Sequence, residues 1–526
     1  MGRDSRRVPP TSALRESRPR RPAPAATTPG VTPPGAGPLV SVLAGLVAVA
    51  FLVRIGLQAA GAKFYTDECF HAHVAQWIAQ HHRLPAVMPE LYSGFYYYYP
   101  PLLHLLGAFW IGLLGLASLP LLNVGLTALA LLLLAFGLPP RAPGRAGIWA
   151  LLLCLSSTAL GTHAVRFYVE ALLALFTLAA TLLLLRFWRT GHVRDAALLG
   201  VSAGLALLTK QTALLMLPAL AAFALFEAAR RRWPRALGFG VALGVALLLS
   251  LPIFLRNLRL FGDPIYPVLS PDVDHALFEM NAHHFAIAAP EFHRQSLAAA
   301  GPLVVAAGAL ALGLAAARRQ VRLETVLLLA IVLAAAAAPR VPLADPRHLF
   351  PLLPPFALLS AGTISAAIGA RRAIATTVSL ALLAGASLAV ARMPDYRSGL
   401  DVPPWLAEAY AAIRREVPDD GTVLSLWTYD TFYYSGRSAT WPVAWGQRVR
   451  YTSLFHKTSA TRFLAQIDSA GIGYLLVPRW RPSEGFDGVN YPRRFIDCVD
   501  SLGHARQMKT LWASDWLMLV ARVPPP

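Results

Sequence analysis

A short polar segment, Asp67-Glu68-Cys69-Phe70-His71-Ala72-His73, follows a long apolar stretch near the start of the chain. Apolar residues from this segment onward recur at helical spacing: Phe70, Val74, Trp77 and Ile78. The spacing predicts a helix that lies along a membrane surface and runs to about His82. Asp67 would stand at its start, where a carboxylate can act as a general base toward a hydroxyl group. The alternative is a purely structural role, in which Thr66 or Asp67 caps the helix and takes no part in chemistry.

Four consecutive tyrosines, Tyr96 to Tyr99, precede Pro100-Pro101. Tyrosines near a membrane often form a belt at the boundary between lipid and water. The same rings can form a wall on which a sugar stacks. The sequence leaves both interpretations open.

Histidines near acidic residues raise the question of a metal site. The candidates are His71-x-His73, which is close to Asp67 and Glu68, and His283-His284 with His293. Their spacing fits no established zinc or transition-metal motif. The three cysteines, Cys69, Cys154 and Cys498, are scattered and form neither a metal nor a redox motif. We therefore predict no metal ligands, although use of a divalent cation stays open.

The composition of the chain excludes a water-soluble protein. Apolar residues make up 56% of the 526 residues and charged residues 14%, and only three carboxylates occur between Pro101 and Leu255. Such a long stretch cannot be solvated by so few charges, so we predict a polytopic α-helical membrane protein. The net charge is +19. Much of it comes from basic residues at positions that orient a membrane protein, so it does not indicate a nucleic-acid partner.

Eleven apolar runs predict about eleven transmembrane helices with a cytoplasmic N-terminus, provided that 101–137 crosses once. The runs are 39–59, 101–137, 145–162, 166–187, 195–209, 211–229, 235–256, 297–317, 322–338, 349–369 and 372–391. Arginine clusters assign the cytoplasmic side. The segments 60–100, 162–170, 257–296 and 339–348 and the turn at Lys210 then share the outer side.

Three regions follow from this topology. Residues 1–38, with seven arginines and nine prolines, predict a disordered basic cytoplasmic arm. Residues 39–392 form the transmembrane core with its external loop 60–100. Residues 393–526 predict a small extracytoplasmic α/β domain, with helices at 403–416, 458–470 and 492–501. Its strands are predicted at 423–426, 474–477, 509–513 and 516–521.

Five motifs occur in a recognisable order along residues 40–390. They are Asp67-Glu68 with Tyr99-Pro100-Pro101-Leu102-Leu103-His104, then Arg166-x-x-x-Glu170, Gly200-x-x-x-Gly204 running to Thr209-Lys210, Pro264-Ile265-Tyr266-Pro267 and Pro346-Arg347-His348. Together they resemble the membrane-embedded C-type glycosyltransferases, and within these the protein O-mannosyltransferases and the lipid A aminoarabinose transferases.

The resemblance implies an enzyme that transfers a sugar from a polyprenyl-phosphate donor with inversion at the anomeric carbon. The family's catalytic aspartate falls on Asp67, with Glu68 beside it. Its second acidic position falls on Glu170, where the family usually has aspartate. The acceptor can be a protein, a lipid or a glycan. Residues expected to line the substrates are Tyr97, Tyr98, Tyr99, His104, Tyr266 and His348.

A lipid-phosphate leaving group gains negative charge at the membrane surface and requires cations there. Lys210, Arg166 and Arg347 all fall on the predicted outer face, so we expect them to bind the donor phosphate. A lysine between two apolar runs is costly unless it is paired or near water. Lys210 can alternatively extend to the interface without binding a ligand.

A transporter or a lipid-binding membrane protein without chemistry is the competing hypothesis. Transporters typically carry ionisable residues near the bilayer midplane, often in two repeated halves. Here the ionisable residues fall on one face and no repeat is visible. The sequence therefore favours the enzyme, which we expect to be a multi-pass protein of the cell membrane.

Overall fold

Long apolar runs become helices because only internal hydrogen bonds can satisfy the backbone inside lipid. The computed structural model describes residues 38–65, 67–88, 95–97, 99–137, 145–266, 289–319, 322–340, 345–369, 371–396, 402–425, 427–440, 459–479 and 493–523. The predicted N-terminal arm therefore lies almost wholly outside the described residues.

The first half of the chain forms ten helices within the described ranges. They are α1 (Pro38–Ala60), α2 (Asp67–His81), α3 (Leu102–Leu114), α4 (Leu119–Phe136), α5 (Arg145–Leu155), α6 (Thr158–Val165), α7 (Val169–Thr190), α8 (Val193–Leu207), α9 (Met216–Ala229) and α10 (Trp233–Phe261). A short hairpin of β1 (Val87–Met88) and β2 (Phe95–Tyr96) lies between α2 and α3 and was not predicted.

Five further helices complete the bundle. They are α11 (Ala289–Ala300), α12 (Pro302–Ala317), α13 (Leu323–Ala337), α14 (Leu353–Ile368) and α15 (Arg372–Ala391). A 3₁₀ turn, Pro346–Leu352, leads directly into α14. Among the described residues, seven helices are long and apolar enough to cross a membrane, or up to nine if each bent pair counts as one span. The polytopic helical fold is confirmed, whereas the count of eleven is not.

Three of the predicted runs are interrupted, and one of them, 297–317, is bent by 98° between α11 and α12. Gly115 ends α3, and within the run 101–137 only Leu116–Phe136 is long and apolar enough to span. The single crossing of this run stays a prediction. The run 145–162 is bent by 72° between α5 and α6. Serines occupy the bend: Ser156 Oγ donates to the Leu153 carbonyl at 2.7 Å, and Ser157 Oγ donates to the Ala299 carbonyl at 2.8 Å. The backbone carbonyls of Leu153 and Ala299 are thus hydrogen-bonded by serine side chains at the bend.

Residues after α15 form a five-stranded sheet with helices packed on it. The strands are β3 (Thr422–Leu424), β4 (Ser438–Thr440), β5 (Tyr474–Pro478), β6 (Met508–Ala513) and β7 (Leu517–Arg522), in the spatial order β4-β3-β5-β7-β6. Strands β4, β3 and β5 are parallel, and β7 is antiparallel to both β5 and β6.

The helices of this region are α16 (Pro404–Glu416), α17 (Thr428–Ser435), α18 (Ala460–Ser469) and α19 (Arg493–His504). Three of them, and four of the five strands, fall where the sequence predicts them. Helix α17 and strand β4 were not predicted, because each is too short to give a periodic pattern. The boundary at residue 393 between core and outer domain stays a prediction.

The short helix α17 joins the sheet region to α2. Aromatic residues of α17 contact α2 and Phe64, which lies three residues before α2. The ring pairs are Tyr433 with Phe64, Tyr429 with Phe70, and Phe432 with His73. Cys69 Sγ also donates to Asp430 Oδ1 at 3.2 Å, and the Tyr434 hydroxyl donates to the Phe64 carbonyl. The C-terminal sheet region therefore packs directly on the helix that begins at Asp67.

The orientation of the bundle can be tested with single cysteines, because all three native cysteines are buried. His192 is exposed between α7 and α8, at the opposite end of α7 from Glu170, and Asp420 is exposed next to β3. We expect a membrane-impermeant maleimide on intact cells to modify Asp420→Cys and not His192→Cys. His192→Cys should react once the cells are permeabilised.

The protein with its native cysteines only is the control and should stay unlabelled. Modification of His192→Cys in intact cells would contradict the predicted sides of the membrane.

Candidate active site

Asp67 is held by an arginine from a distant part of the chain. The Arg347 Nη2 atom lies 2.7 Å from Asp67 Oδ2, and the two side chains are 29% and 30% exposed. Arg347 is fixed in turn by Asp345, whose Oδ1 accepts from the Arg347 backbone N–H at 2.8 Å. The start of α2 and the 3₁₀ turn before α14 are thereby joined at one site.

Burial on its own would raise the pKa of Asp67. The positive charge of Arg347, the electrostatic effect of His71 and the hydrogen bond from Arg347 together outweigh the effect of burial. They hold the pKa of Asp67 below its ordinary value. Asp67 is therefore ionised at neutral pH. An ionised carboxylate that is partly exposed can accept a proton from a bound hydroxyl group.

Glu170 and Lys210 form a second pair. Lys210 Nζ lies 2.7 Å from Glu170 Oε1, and the side chains are 15% and 2% exposed. Glu170 stands in the first turn of α7, where the helix dipole favours a negative charge. Lys210 lies in the turn after α8. The second oxygen of Glu170 has no hydrogen-bond partner among the described residues.

Glu68 points away from these pairs and binds backbone. Its Oε1 accepts from the Phe167 N–H at 2.7 Å, and its Oε2 accepts from the Tyr65 N–H at 3.3 Å. The side chain is 1% exposed, and this burial raises its pKa to about 7, against a weaker opposing effect of Arg166. Glu68 thus ties α2 to the turn that carries Arg166.

Arg166 and Arg347 share one aromatic ring. Their guanidinium carbons lie 5.5 Å and 5.4 Å from the centre of the Tyr168 ring, and Arg166 also donates to the Tyr168 hydroxyl at 2.9 Å. The Asn123 side chain on α4 supports this turn by donating to the Tyr168 carbonyl at 2.9 Å. Sequence reasoning missed Asn123, although a buried amide in an apolar helix is a recognisable signal.

The predicted substrate-lining residues fall into different surroundings. Tyr97 and His104 are fully buried and hydrogen-bonded to each other, with 2.6 Å between Tyr97 Oη and His104 Nδ1. The Tyr99 ring lies edge-on to His71, with centroids 5.5 Å apart. Tyr98 lies outside the described residues.

The remaining two predicted residues, Tyr266 and His348, lie in separate places. Tyr266 stacks on Phe261, with centroids 4.0 Å apart, and lines a small cavity together with Gln211 and Pro100. His348 directly follows Arg347 and lies within electrostatic reach of both acid–base pairs. The structure therefore brings Asp67, Glu170, Lys210, Arg347 and His348 together, whereas Glu68 faces the backbone.

No group of three possible metal ligands occurs among the described residues. His73 instead packs edge-on against Phe432, with centroids 4.4 Å apart. His283 and His284 lie outside the described residues.

Residues 100–255 match the family model of dolichyl-phosphate-mannose-protein mannosyltransferase. This segment contains Arg166, Glu170 and Lys210. No curated protein matches the chain.

Several solved structures share the fold. ArnT from Cupriavidus metallidurans bound to undecaprenyl phosphate aligns over 92% of this chain and 98% of its own, at 13% identity and a TM-score of 0.58. Two structures of the Archaeoglobus fulgidus oligosaccharyltransferase also align. The one with an inhibitory peptide and dolichol-phosphate has 16% identity, a TM-score of 0.58, and coverage of 81% of this chain and 69% of its own.

The one with zinc and sulfate has 16% identity, a TM-score of 0.60, and coverage of 83% and 67%. The resemblance to C-type glycosyltransferases is therefore confirmed. The chain has the fold of these membrane enzymes, and part of it matches a glycosyltransferase family.

The buried Glu68 predicts a pH-dependent stability. Its folded-state pKa of about 7 lies above the ordinary value of 4.5, so the folded state binds this proton more tightly than the unfolded state. Its stabilising contribution is complete below about pH 4.5 and is lost as the pH rises through about 7. We expect the Tm in detergent to fall more over this range in the wild type than in Glu68→Gln, which cannot titrate.

Glu408→Gln is the matched control, because Glu408 is exposed on α16. It should keep the pH dependence of the wild type. Parallel curves for Glu68→Gln and the wild type would show that Glu68 does not titrate in this range.

Proposed function

We propose that the protein transfers a sugar from a polyprenyl-phosphate donor to an acceptor hydroxyl group on the extracytoplasmic side of the cell membrane. The proposal rests on two ion pairs at one end of the bundle. Asp67 contacts the cationic side chain of Arg347, and Glu170 contacts that of Lys210. Such a site can accept a proton and stabilise a phosphate at the same time. The resemblance and the family match support the same activity.

Asp67 is the proposed base. The acceptor oxygen attacks the anomeric carbon from the face opposite the phosphate, which gives inversion. As the new carbon–oxygen bond forms, the hydroxyl proton passes to Asp67. The bond between the anomeric carbon and the phosphate oxygen breaks, and its electron pair stays on the phosphate.

Arg347 and Lys210 are the proposed phosphate ligands, with Arg166 nearby on the shared Tyr168 ring. Cations placed where negative charge develops lower the barrier because they are already oriented. Glu170 holds Lys210 in place, and its second oxygen, which has no partner among the described residues, is available to a substrate hydroxyl. Glu68 acts indirectly by fixing the turn that carries Arg166.

The acceptor is proposed to be a protein, a lipid or a glycan that reaches the site beneath the C-terminal region. In this proposal residues 393–526 form an extracytoplasmic domain, and residues 1–38 a cytoplasmic arm. The packing of α17 on α2 supports a place for this domain above Asp67.

A panel of donors tests the activity itself. Purified protein would be incubated with undecaprenyl phosphate carrying mannose, glucose, galactose or arabinose, and release of undecaprenyl phosphate would be followed. We expect hydrolysis or transfer with at least one donor. Binding of donors without any turnover, including in the presence of membrane extract as a source of acceptor, would favour a lipid-binding or transport protein.

Asp67→Asn should abolish most activity while the protein still folds. The amide keeps an oxygen that can accept from Arg347 but cannot take a proton, so we expect turnover to fall by roughly 10²–10⁴-fold. The loss of stability should be about 1 kcal/mol. Asp419→Asn is the control, because it removes a carboxylate from an ion pair with Arg437 that lies within the C-terminal region. Turnover near that of the wild type in Asp67→Asn would exclude Asp67 as the base.

Lys210→Met should weaken binding of the phosphate group. Methionine keeps much of the length and removes the charge, so affinity for undecaprenyl phosphate should fall about 10-fold or more. Lys210→Arg should retain part of the affinity, because it keeps the charge with a different geometry. Lys509→Met, at an exposed position of β6, is the control.

Equal affinity of Lys210→Met and wild type for undecaprenyl phosphate would assign the lysine a structural role. Glu170 would then be its only partner, and the phosphate would have to bind Arg347 or Arg166.

A further inference from the structure

A buried hydrogen-bonded chain runs from the tyrosine segment to helix α2. The Tyr97 hydroxyl lies 2.6 Å from His104 Nδ1, and His104 Nε2 lies 2.8 Å from His71 Nδ1. All three side chains are at most 3% exposed. The side chain of Arg256 closes the far end, with its guanidinium carbon 5.1 Å from the centre of the Tyr97 ring.

The direction of the hydrogen bonds follows from the Tyr97 hydroxyl. Among the described residues its only hydrogen-bond partner is His104 Nδ1, so the hydroxyl donates there. The opposite arrangement would leave a buried hydroxyl proton without an acceptor, which is costly. His104 therefore carries its proton on Nε2 and donates to His71 Nδ1. His71 in turn carries its own proton on Nε2.

His71 stands one helical turn after Asp67 on α2, and residues four apart lie on the same face of a helix. The charges that act on its ring are those of both acid–base pairs: Asp67, Glu170, Arg347 and Lys210. Its Nε2 atom forms no hydrogen bond with any residue that the structure describes. The buried His71 ring thus keeps one N–H donor that has no partner among the described residues, within electrostatic reach of the charged groups of the proposed site.

Resting on the proposed function, we propose that His71 donates a hydrogen bond from Nε2 to an oxygen of the sugar that is transferred. Tyr97 and His104 are positioning residues, which hold His71 in the form that donates from Nε2. In the proposed mechanism the phosphate binds the cations Lys210 and Arg347, and the acceptor proton goes to Asp67. The neutral oxygens of the sugar remain, and a neutral N–H donor suits them.

His71 stays neutral in the site because burial lowers its pKa to about 4. A neutral ring with Nδ1 engaged by His104 has one donor left, and it has no charge with which to attract phosphate strongly. This distinguishes it from Lys210 and Arg347, which recognise the part of the donor that every polyprenyl phosphate shares. His71 is accordingly expected to recognise the sugar and to be indifferent to the phosphate.

Two ligands separate these contributions. Affinities for undecaprenyl phosphate, and for the undecaprenyl-phosphate sugar of the panel that the wild type consumes fastest, would be measured with His71→Phe, which keeps a packed ring. We expect affinity for the sugar-bearing donor to fall about 5- to 10-fold, as for loss of one hydrogen bond. Affinity for undecaprenyl phosphate should stay within about twofold. Equal losses for both ligands, or no loss for either, would overturn the proposal.

A double-mutant cycle tests whether Tyr97 acts through His71. Tyr97→Phe removes only the hydroxyl and keeps the ring under Arg256. We expect it to lower affinity for the sugar-bearing donor severalfold in the wild-type background and to have no further effect in His71→Phe. The same loss in both backgrounds would mean that the tyrosine acts independently, and the proposed chain would be wrong.

Tyr410→Phe is the matched control, because Tyr410 is also a buried tyrosine and belongs to α16, remote in sequence from this chain of residues. It should leave both affinities unchanged. Failure of this proposal can be told from failure of the proposed function. If the wild type consumes no donor, the proposed function is wrong. If it consumes a donor and His71→Phe binds the sugar-bearing donor as well as the wild type does, only the role of His71 is wrong.

Discussion

The pairing of charges at one end of the helix bundle is the constraint on which the rest of the structure depends. A charge in or near the membrane is costly unless it is paired or solvated, and breaking one partner of a buried pair leaves the other uncompensated. Asp67 and Arg347 join α2 to the turn before α14, and Glu170 and Lys210 join α7 to the end of α8. The same contacts that hold these four elements together bring two carboxylates and two basic side chains into one site.

Helix α2 contacts several separate parts of the protein. Asp67 faces Arg347, Glu68 binds the backbone before α7, Cys69 contacts Asp430 of the C-terminal region, and His71 is bonded to His104 on α3. Successive residues of a helix point in different directions, so a single turn can contact four separate elements. A short helix without long-range neighbours would be marginal in water, and here its order comes from these contacts.

The sequence was sufficient for the helical bundle and for the residues of the two pairs, because apolar runs and rare membrane charges are visible without any structure. It could not show which acid pairs with which base, since Asp67 and Arg347 are far apart in the chain and no periodicity links them. It also grouped Glu68 with Asp67 by adjacency, although one residue along a helix turns the side chain by about 100°. The hydrogen bonds that link Tyr97, His104 and His71 were not predicted either, because no periodicity in the sequence connects these residues. The short helix α17 was not predicted because it is too short to give a periodic pattern.

We propose that Lys210 and Arg347 bind the phosphate of a polyprenyl donor next to Asp67. A structure of the wild-type protein with undecaprenyl phosphate, determined by electron cryo-microscopy in lipid nanodiscs, tests it most directly. We expect phosphate oxygens within about 3 Å of Lys210 Nζ or of the Arg347 guanidinium, with the lipid chain running along the bundle. A phosphate bound at another face of the bundle, with both ion pairs unchanged, would contradict it.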